Sequence, residues 1–372
     1  MPHDRRLTTR PWVWVLIFVQ VALMLVAVSV LAACGTAAAA PEPTPRPLAP
    51  DLVLYDWPDD IPQSILDAFT REYGVTVIYE TYESQEAAIE NMRAGQVYDV
   101  VVMSNDLVPA LVADHLLAEI DFRNVPNFKN VSANFLDLAY DAGNKHSVPY
   151  SWGTIGLLVR SDLLQVMPRR WADMWDTRYA GRVAVWALQR VLIAIALKSL
   201  GYSANSESPF ELEAALQRLL ALKQNAVFWD LNETSIAPAL TEGPAVMAYG
   251  WSYDAITGQE VNPAVRYVVP DEGALLWGDN FVIPANSLNQ PTAEVFVDFL
   301  LRPEISAPIV NETFYATANE AARPYIDPDV LNDPIVYPTT ESLRNAEITL
   351  PVSPEGQKLY DDIWARFLAA GQ

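Results

Sequence analysis

From residue 52 onward the chain alternates short apolar, β-rich runs with amphipathic helical stretches, and that order restricts the fold more than any other feature. Residues 52–57 form the first strand pattern. Residues 61–73 predict a helix with Pro62 in its first turn and Gly74 just past its end. A second strand at 75–82, a helix at 84–94 closed by Gly95, and a third strand at 98–103 follow. Its VVVM run suits burial on both faces. This βαβαβ order implies a parallel sheet with right-handed crossovers. A second series starts near Gly181, with a strand at 182–187, helices at 189–200 and 209–223, and strands at 246–251, 265–269 and 275–283. A helix at 292–301 and a last amphipathic helix at 354–370 complete it. The expectation is two α/β units with the chain passing back and forth between them. Residues 147–159 contain the strand that leaves the first unit.

The N-terminus has a different character. Arg5, Arg6 and Arg10 precede residues 11–33, which carry no charge and end in Leu31-Ala32-Ala33-Cys34. A basic segment, an apolar run and small residues before a cleavage point have the form of a secretory signal. The cysteine, the only one in the chain, resembles that of a bacterial lipoprotein, cleaved before Cys34 and lipidated there. An uncleaved transmembrane helix is the competing reading, because the run is long enough to span a bilayer, but it leaves the placement of Cys34 unexplained. Residues 35–50 hold five Pro and five Ala and read as an extended tether.

Charge and cysteine content exclude several function classes. Lys+Arg 24 against Asp+Glu 46 gives 24 − 46 = −22. Such a chain lacks the basic stripe that phosphate backbones require, so nucleic acid is not an expected partner. A single cysteine rules out an intrachain disulfide and multi-cysteine zinc frameworks. There is no GxxxxGK loop, no GxSxG elbow and no HExxH, so neither catalytic residues nor a metal or other cofactor is expected. A carboxylate pair of the glycosidase kind remains possible among so many acids.

In open parallel sheets ligands bind beyond the carboxyl ends of the strands. By that rule the first strand delivers Trp57, Pro58, Asp59 and Asp60, and the third delivers Ser104, Asn105 and Asp106. The second unit delivers Tyr249, Trp251, Ser252, Tyr253 and Asp254, while Trp277 and Asp279 lie within a β run. Aromatic and acidic side chains therefore collect where strands end, with no Lys or Arg among them. That set suits an organic cation, because aromatic faces attract ammonium groups and carboxylates accept charge-assisted hydrogen bonds. Several of these residues also have structural readings. Asp60, with Gln63 three residues on, fits a capping box, and Ser104 could cap the following helix. Trp171 and Trp175 read as core, and His115 and His146 as isolated surface or capping residues.

Tyr55-Asp56-Trp57 before a helix and the segments VTVIYETYES (75–84), YDVVVMS (98–104), SVPYSWGTIGLLV (147–159), WADMWDTRYAGRV (171–183), LGYS (200–203), WGDNFVIPAN (277–286) and FYATANEAAR (314–323) together resemble the solute-binding proteins of spermidine/putrescine ABC importers. The resemblance runs in order over nearly the whole chain after the tether. It implies the two-lobe, type II periplasmic-binding-protein fold, with two α/β domains joined by hinge strands around a ligand cleft. Residues 51–154 plus 280–323 would form lobe 1, and 155–279 plus 324–372 lobe 2, following a signal peptide at 1–33 and a tether at 34–50. Also implied are a polyamine ligand, a permease and an ATPase as partners, and a monomer held by lipidated Cys34 in the periplasm or at the cell surface. Position by position, it carries ligand contacts onto Trp57, Asp59, Ser104, Trp277, Asp279 and Tyr315, and places Tyr249 where the family has a Trp. Two family carboxylates fall at Leu188 and Val191, its Gln at Thr349 and a Tyr at Asp106. Asp106 and Asp254 are the candidates to compensate for the lost acids. The alternatives are a binding protein for another small solute, or an anchored extracellular hydrolase.

Overall fold

The structure, a computed structural model, describes residues 47–230 and 235–370. The signal segment, Cys34 and most of the tether lie outside the described residues. In chain order the first unit runs β1 (Asp51–Asp56), α1 (Gln63–Tyr73), β2 (Thr76–Thr81), α2 (Gln85–Arg93), β3 (Val100–Ser104) and α3 (Val108–Ala113). The 14-residue β4 (Ser147–Arg160) follows. Then come β5 (Val183–Trp186), α4 (Gln189–Ser199), α5 (Pro209–Leu222), β6 (Ala226–Trp229), α6 (Ala237–Thr241), β7 (Met247–Trp251), α7 (Ser252–Val261), β8 (Val265–Val268) and β9 (Leu275–Val282). The chain ends with α8 (Gln290–Leu300), α9 (Pro303–Thr313), β10 (Ala316–Thr317), α10 (Pro328–Leu331), β11 (Glu347–Ile348) and α11 (Pro354–Ala369). Elements given a range from sequence begin and end within two residues of their observed bounds, whereas β6, α6, α7, α9, β10, α10 and β11 were not foreseen and α3 was given no bounds.

The hydrogen-bonded order is β2-β1-β3-β9-β4-β7-β5-β6. As the βαβαβ pattern requires, β1 pairs in parallel with both β2 and β3. The sheet is mixed rather than parallel throughout, because β9 runs antiparallel between β3 and β4, and β4 antiparallel to β7. Beyond them β7, β5 and β6 are again parallel.

The strand pleat sorts side chains to two faces. Leu52, Leu54, Val100 and Val102 pack with Phe69, Phe281, Phe296 and Phe299 on one face of the first unit. Tyr55, Val101, Met103 and Val282 pack with Met92 and Leu111 on the other. A separate core surrounds β5 and β7, built from α4, α5 and α11 with the fully buried Trp171. Strands β4 and β9 belong to both regions. Val148 and Tyr150 join the first core and residues 155–159 the second, while in β9 Leu275 joins the second core and Phe281 the first. Thus the antiparallel β4–β9 pair carries the chain between two separately packed lobes.

Candidate functional site

Because β9 lies between β3 and β4, its register places Asp279 opposite Ser104 on one side and opposite Ser151 on the other. The Ser104 hydroxyl donates to Asp279 Oδ1 at 2.9 Å, and Asp279 is only 8% exposed. Two residues earlier Trp277 opposes Gly153. A Cβ at position 153 would stand 2.7 Å from the indole, so glycine there makes the space that Trp277 fills. The indole N–H is buried without a hydrogen-bond partner, and its ring meets Tyr315 edge-on at 5.0 Å. Half-buried Trp57, just past β1, packs against Tyr82 at 4.7 Å. Its backbone N–H donates to Asp56 Oδ1 at 2.7 Å.

Asp60 departs from its sequence reading. Helix α1 takes Pro62 as N-cap with no side-chain cap bond, and Gln63 donates instead to Asp67 at 2.9 Å. The Pro at position 62 leaves no N–H there to be capped, and Asp60 is 7% exposed with Oδ2 unpartnered. Its neighbour Asp59 is exposed at a φ of 60°, in the left-handed region that acidic residues tolerate. Asp59 is not among the charges that act on Asp56, Asp60 or Asp279.

The second unit divides its candidates. Tyr249 is fully buried and its hydroxyl donates to the Trp186 carbonyl at 2.8 Å, so it fills a core instead of facing an open surface. Asp254 accepts from Ser235 Oγ at 2.6 Å, from the Ile236 N–H at 3.0 Å and from the Trp251 N–H at 2.9 Å. All three bonds brace the start of α7 and the neighbouring loop and favour the ionised form, yet burial outweighs them and holds the carboxyl above its usual range. Tyr315 is half-buried and lies within the electrostatic reach of Asp254, Asp60 and Asp279 together. Asp106 is half-buried; desolvation pushes its carboxyl up while the Arg190 guanidinium pulls it down. Sequence reasoning saw no cation near the site and missed Arg190. That guanidinium is held by the Ala204 carbonyl at 2.8 Å and Asn205 Oδ1 at 2.6 Å, over the Tyr360 ring at 5.1 Å. Leu188 and Val191 pack against the second core on either side of it.

Buried acids dominate the electrostatics. Burial pushes Asp60 up to about 7, with repulsion from Asp279 adding to it. Asp279 is pushed up to about 6, again first by burial, against the opposing hydrogen bond from Ser104. Asp56 is raised well above the usual carboxylate range by burial and then by Asp60. Five buried polar atoms here lack partners: Asp56 Oδ2, Asp60 Oδ2, Gln85 Nε2, Ser151 Oγ and Trp277 Nε1. Each such group left unpaired costs about 1–3 kcal/mol. The acceptors among them, Asp56 Oδ2, Asp60 Oδ2 and Ser151 Oγ, are complementary to a desolvated cation that carries N–H donors and an apolar skeleton. Sequence reasoning gave no role to Asp56 or Gln85, and it read Asp60, delivered by the first strand, as a cap. A polar residue inside a strand pattern, as Asp56 is, was the one available signal.

Comparison with known proteins places the chain among bacterial solute receptors. The bacterial extracellular solute-binding protein family matches residues 64–339. The spermidine/putrescine-binding periplasmic protein of Escherichia coli (strain K12) is 33% identical over 299 residues, 80% of this chain and 85% of its own length. The putrescine/agmatine-binding protein of Pseudomonas aeruginosa is 30% identical over 335 residues, covering 84% and 90%. Among solved structures, the spermidine/putrescine ABC transporter substrate-binding protein of Streptococcus pneumoniae superposes with a TM-score of 0.77 at 30% identity, over 86% of this chain and 99% of that one. A lipoprotein of Treponema pallidum gives 0.77 at 25%, over 85% and 99%.

Proposed function

The chain belongs to the bacterial extracellular solute-binding protein family, and from that premise we propose that it is the extracytoplasmic receptor of an ABC importer, capturing polyamine cations between its two lobes. Buried carboxyls without a cationic partner, set against Trp57, Trp277 and Tyr315, carry this reading. An ammonium entering there gains the carboxylates as acceptors and the rings as walls for its methylenes. The relatives' names point to the same ligand class. The contacts proposed are Trp57, Ser104, Trp277, Asp279 and Tyr315. Asp106 lies at the Arg190 side, and Asp59 would join on closure.

The protein acts by reversible capture and has no catalytic step. Residues 51–154 plus 280–323 form one lobe and 155–279 plus 324–372 the other, with β4 and β9 as hinge strands; the separate cores support this division. Signal cleavage before Cys34 and lipidation of its sulfur hold the monomer at the membrane in the periplasm or at the cell surface. The lipoprotein of Treponema pallidum offers a parallel. Equilibrium dialysis of residues 48–372 against putrescine, cadaverine, agmatine and spermidine, with mass spectrometry of the recovered ligand, tests the reading. Retention of at least one amine, returned intact, is expected. Chemical conversion would make it an enzyme, and retention of none would remove the polyamine assignment.

A further inference from the structure

We propose that Asp60 and Asp279 together form the seat for one protonated amine, with Asp56 as a third carboxyl behind them. This rests on the cation-binding reading above and deepens it. It places a charge-bearing contact on Asp60, which the strand-end rule delivered but the spacing to Gln63 read as a cap, and onto which the resemblance carries no contact.

The backbone fixes Asp60 in place. Its N–H donates to the Tyr79 hydroxyl at 3.2 Å and its carbonyl accepts from the Tyr150 hydroxyl at 3.1 Å. Tyr79 in turn donates to the Trp57 carbonyl. Hydroxyls from β2 and β4 thus grip the peptide on both sides, and the side chain stays 7% exposed with Oδ2 unsatisfied. Buried polar groups surround it, and of these Asp56 Oδ2 and Ser151 Oγ are acceptors without a partner, while the Gln85 amide favours the ionised form of Asp279. Gln85 is 6% exposed; its Oε1 accepts from the Ser104 N–H at 3.3 Å, yet its Nε2 is unpartnered. Ser151, 7% exposed and opposite Asp279 in the register, has an unpartnered hydroxyl. Of the seven such atoms among the described residues, five belong to this region.

The charges around the seat are of one sign. Asp60 and Asp279 act on Asp56 from the loop after β1 and from β9, Asp279 acts on Asp60, and Asp106 from beyond β3 acts on Asp279. The phenols of Tyr79 and Tyr82, of Tyr150 on β4, and of Tyr315 complete the surroundings. No lysine, arginine or histidine is among the groups acting on Asp56, Asp60 or Asp279. A divalent metal needs several ligands converging on one point, and no group of three or more His, Cys, Asp or Glu side chains placed to hold one occurs among the described residues. An ammonium instead brings one charge and three N–H donors, which suits acceptors spread around it. In the empty site the carboxyls hold protons against one another. When R–NH3+ arrives, a carboxyl releases its proton to solvent, the carboxylate remains beside the ammonium, and no covalent bond changes.

Calorimetric titration of putrescine at pH 6.5, in two buffers of different ionisation enthalpy, tests this with the parent protein, Asp60→Asn and Glu260→Gln. The parent should release protons on binding. Asp60→Asn should bind about 30-fold or more weakly and release fewer protons, and Glu260→Gln, at an exposed acid in the last turn of α7, should stay within about threefold of the parent, as a change to an exposed charge does. If Asp60→Asn binds like the parent, the seat is wrong while the amine receptor stands. If the parent binds none of putrescine, cadaverine, agmatine and spermidine, the receptor reading falls and the seat falls with it. Should Asp60→Asn lose its native circular dichroism, proton release by the parent decides: amine binding without it between pH 6 and 7 overturns the proposal.

Discussion

Asp60→Asn should make the ligand-free protein more stable at pH 8. Asp60 ionises at about 7 in the folded state against a reference of 3.8. A carboxyl raised on folding contributes stability that is fully present below the unfolded value and is lost as pH rises through the folded one. At pH 8 the folded chain holds an ionised, buried Asp60, at a cost of about 4 kcal/mol from a shift of about three units at 1.36 kcal/mol each. At pH 5 the folded carboxyl is protonated while the unfolded one is mostly ionised, and the cost falls to about 2 kcal/mol. Below about pH 3, where the carboxyl is protonated in both states, it vanishes. Asparagine keeps the shape and removes the charge, so the variant should exceed the parent by about 4 kcal/mol at pH 8 and by about 2 at pH 5. Urea unfolding followed by tryptophan fluorescence reads both differences. A variant less stable than the parent at pH 8, or a difference that does not change with pH, would refute the buried-acid argument. Either result would return Asp60 to the structural role its spacing from Gln63 suggested.

Further outcomes follow from the same site. Asp279→Asn should keep the fold and lose on the order of 2–5 kcal/mol of putrescine binding, as removal of a buried charge partner does. Trp277→Ala should lose less than Asp279→Asn; calorimetry ranks the two. Cys34→Ser should abolish membrane attachment without changing ligand affinity, which fractionation and titration together check. Closure over an amine should lower the radius of gyration in small-angle scattering, and no change at saturating ligand would count against hinge motion about β4 and β9.

Periodicity made the scaffold legible. Apolar alternation and Gly/Pro punctuation marked β1 through β3 and α1 with little ambiguity, since burial on known faces leaves few registers open. The antiparallel placement of β9 between β3 and β4 was not legible, because sequence does not state which distant strand fills a sheet's centre. That placement brings Asp279 to Ser104 and makes a site from residues 175 apart. Trp277 and Asp279 were visible as a carboxylate and a large ring inside a strand. Asp60 was misread because its spacing to Gln63 matches a cap, and only Pro62 with the hydroxyls of Tyr79 and Tyr150 shows where it lies. Tyr249 and Asp254 follow a strand as binding residues do, yet core packing and helix bracing consume them. Arg190 carried no signal, since an arginine in the first turn of an apolar helix reads as solvated.

A crystal structure with putrescine at pH 8 tests the central claim most directly, because it locates the amine nitrogens. The account predicts one nitrogen within hydrogen-bond distance of both Asp279 and Asp60, with the methylenes running over Trp277 towards Tyr315. A ligand whose nitrogens avoid both carboxylates, or one seated outside the β3–β9–β4 region, would contradict it.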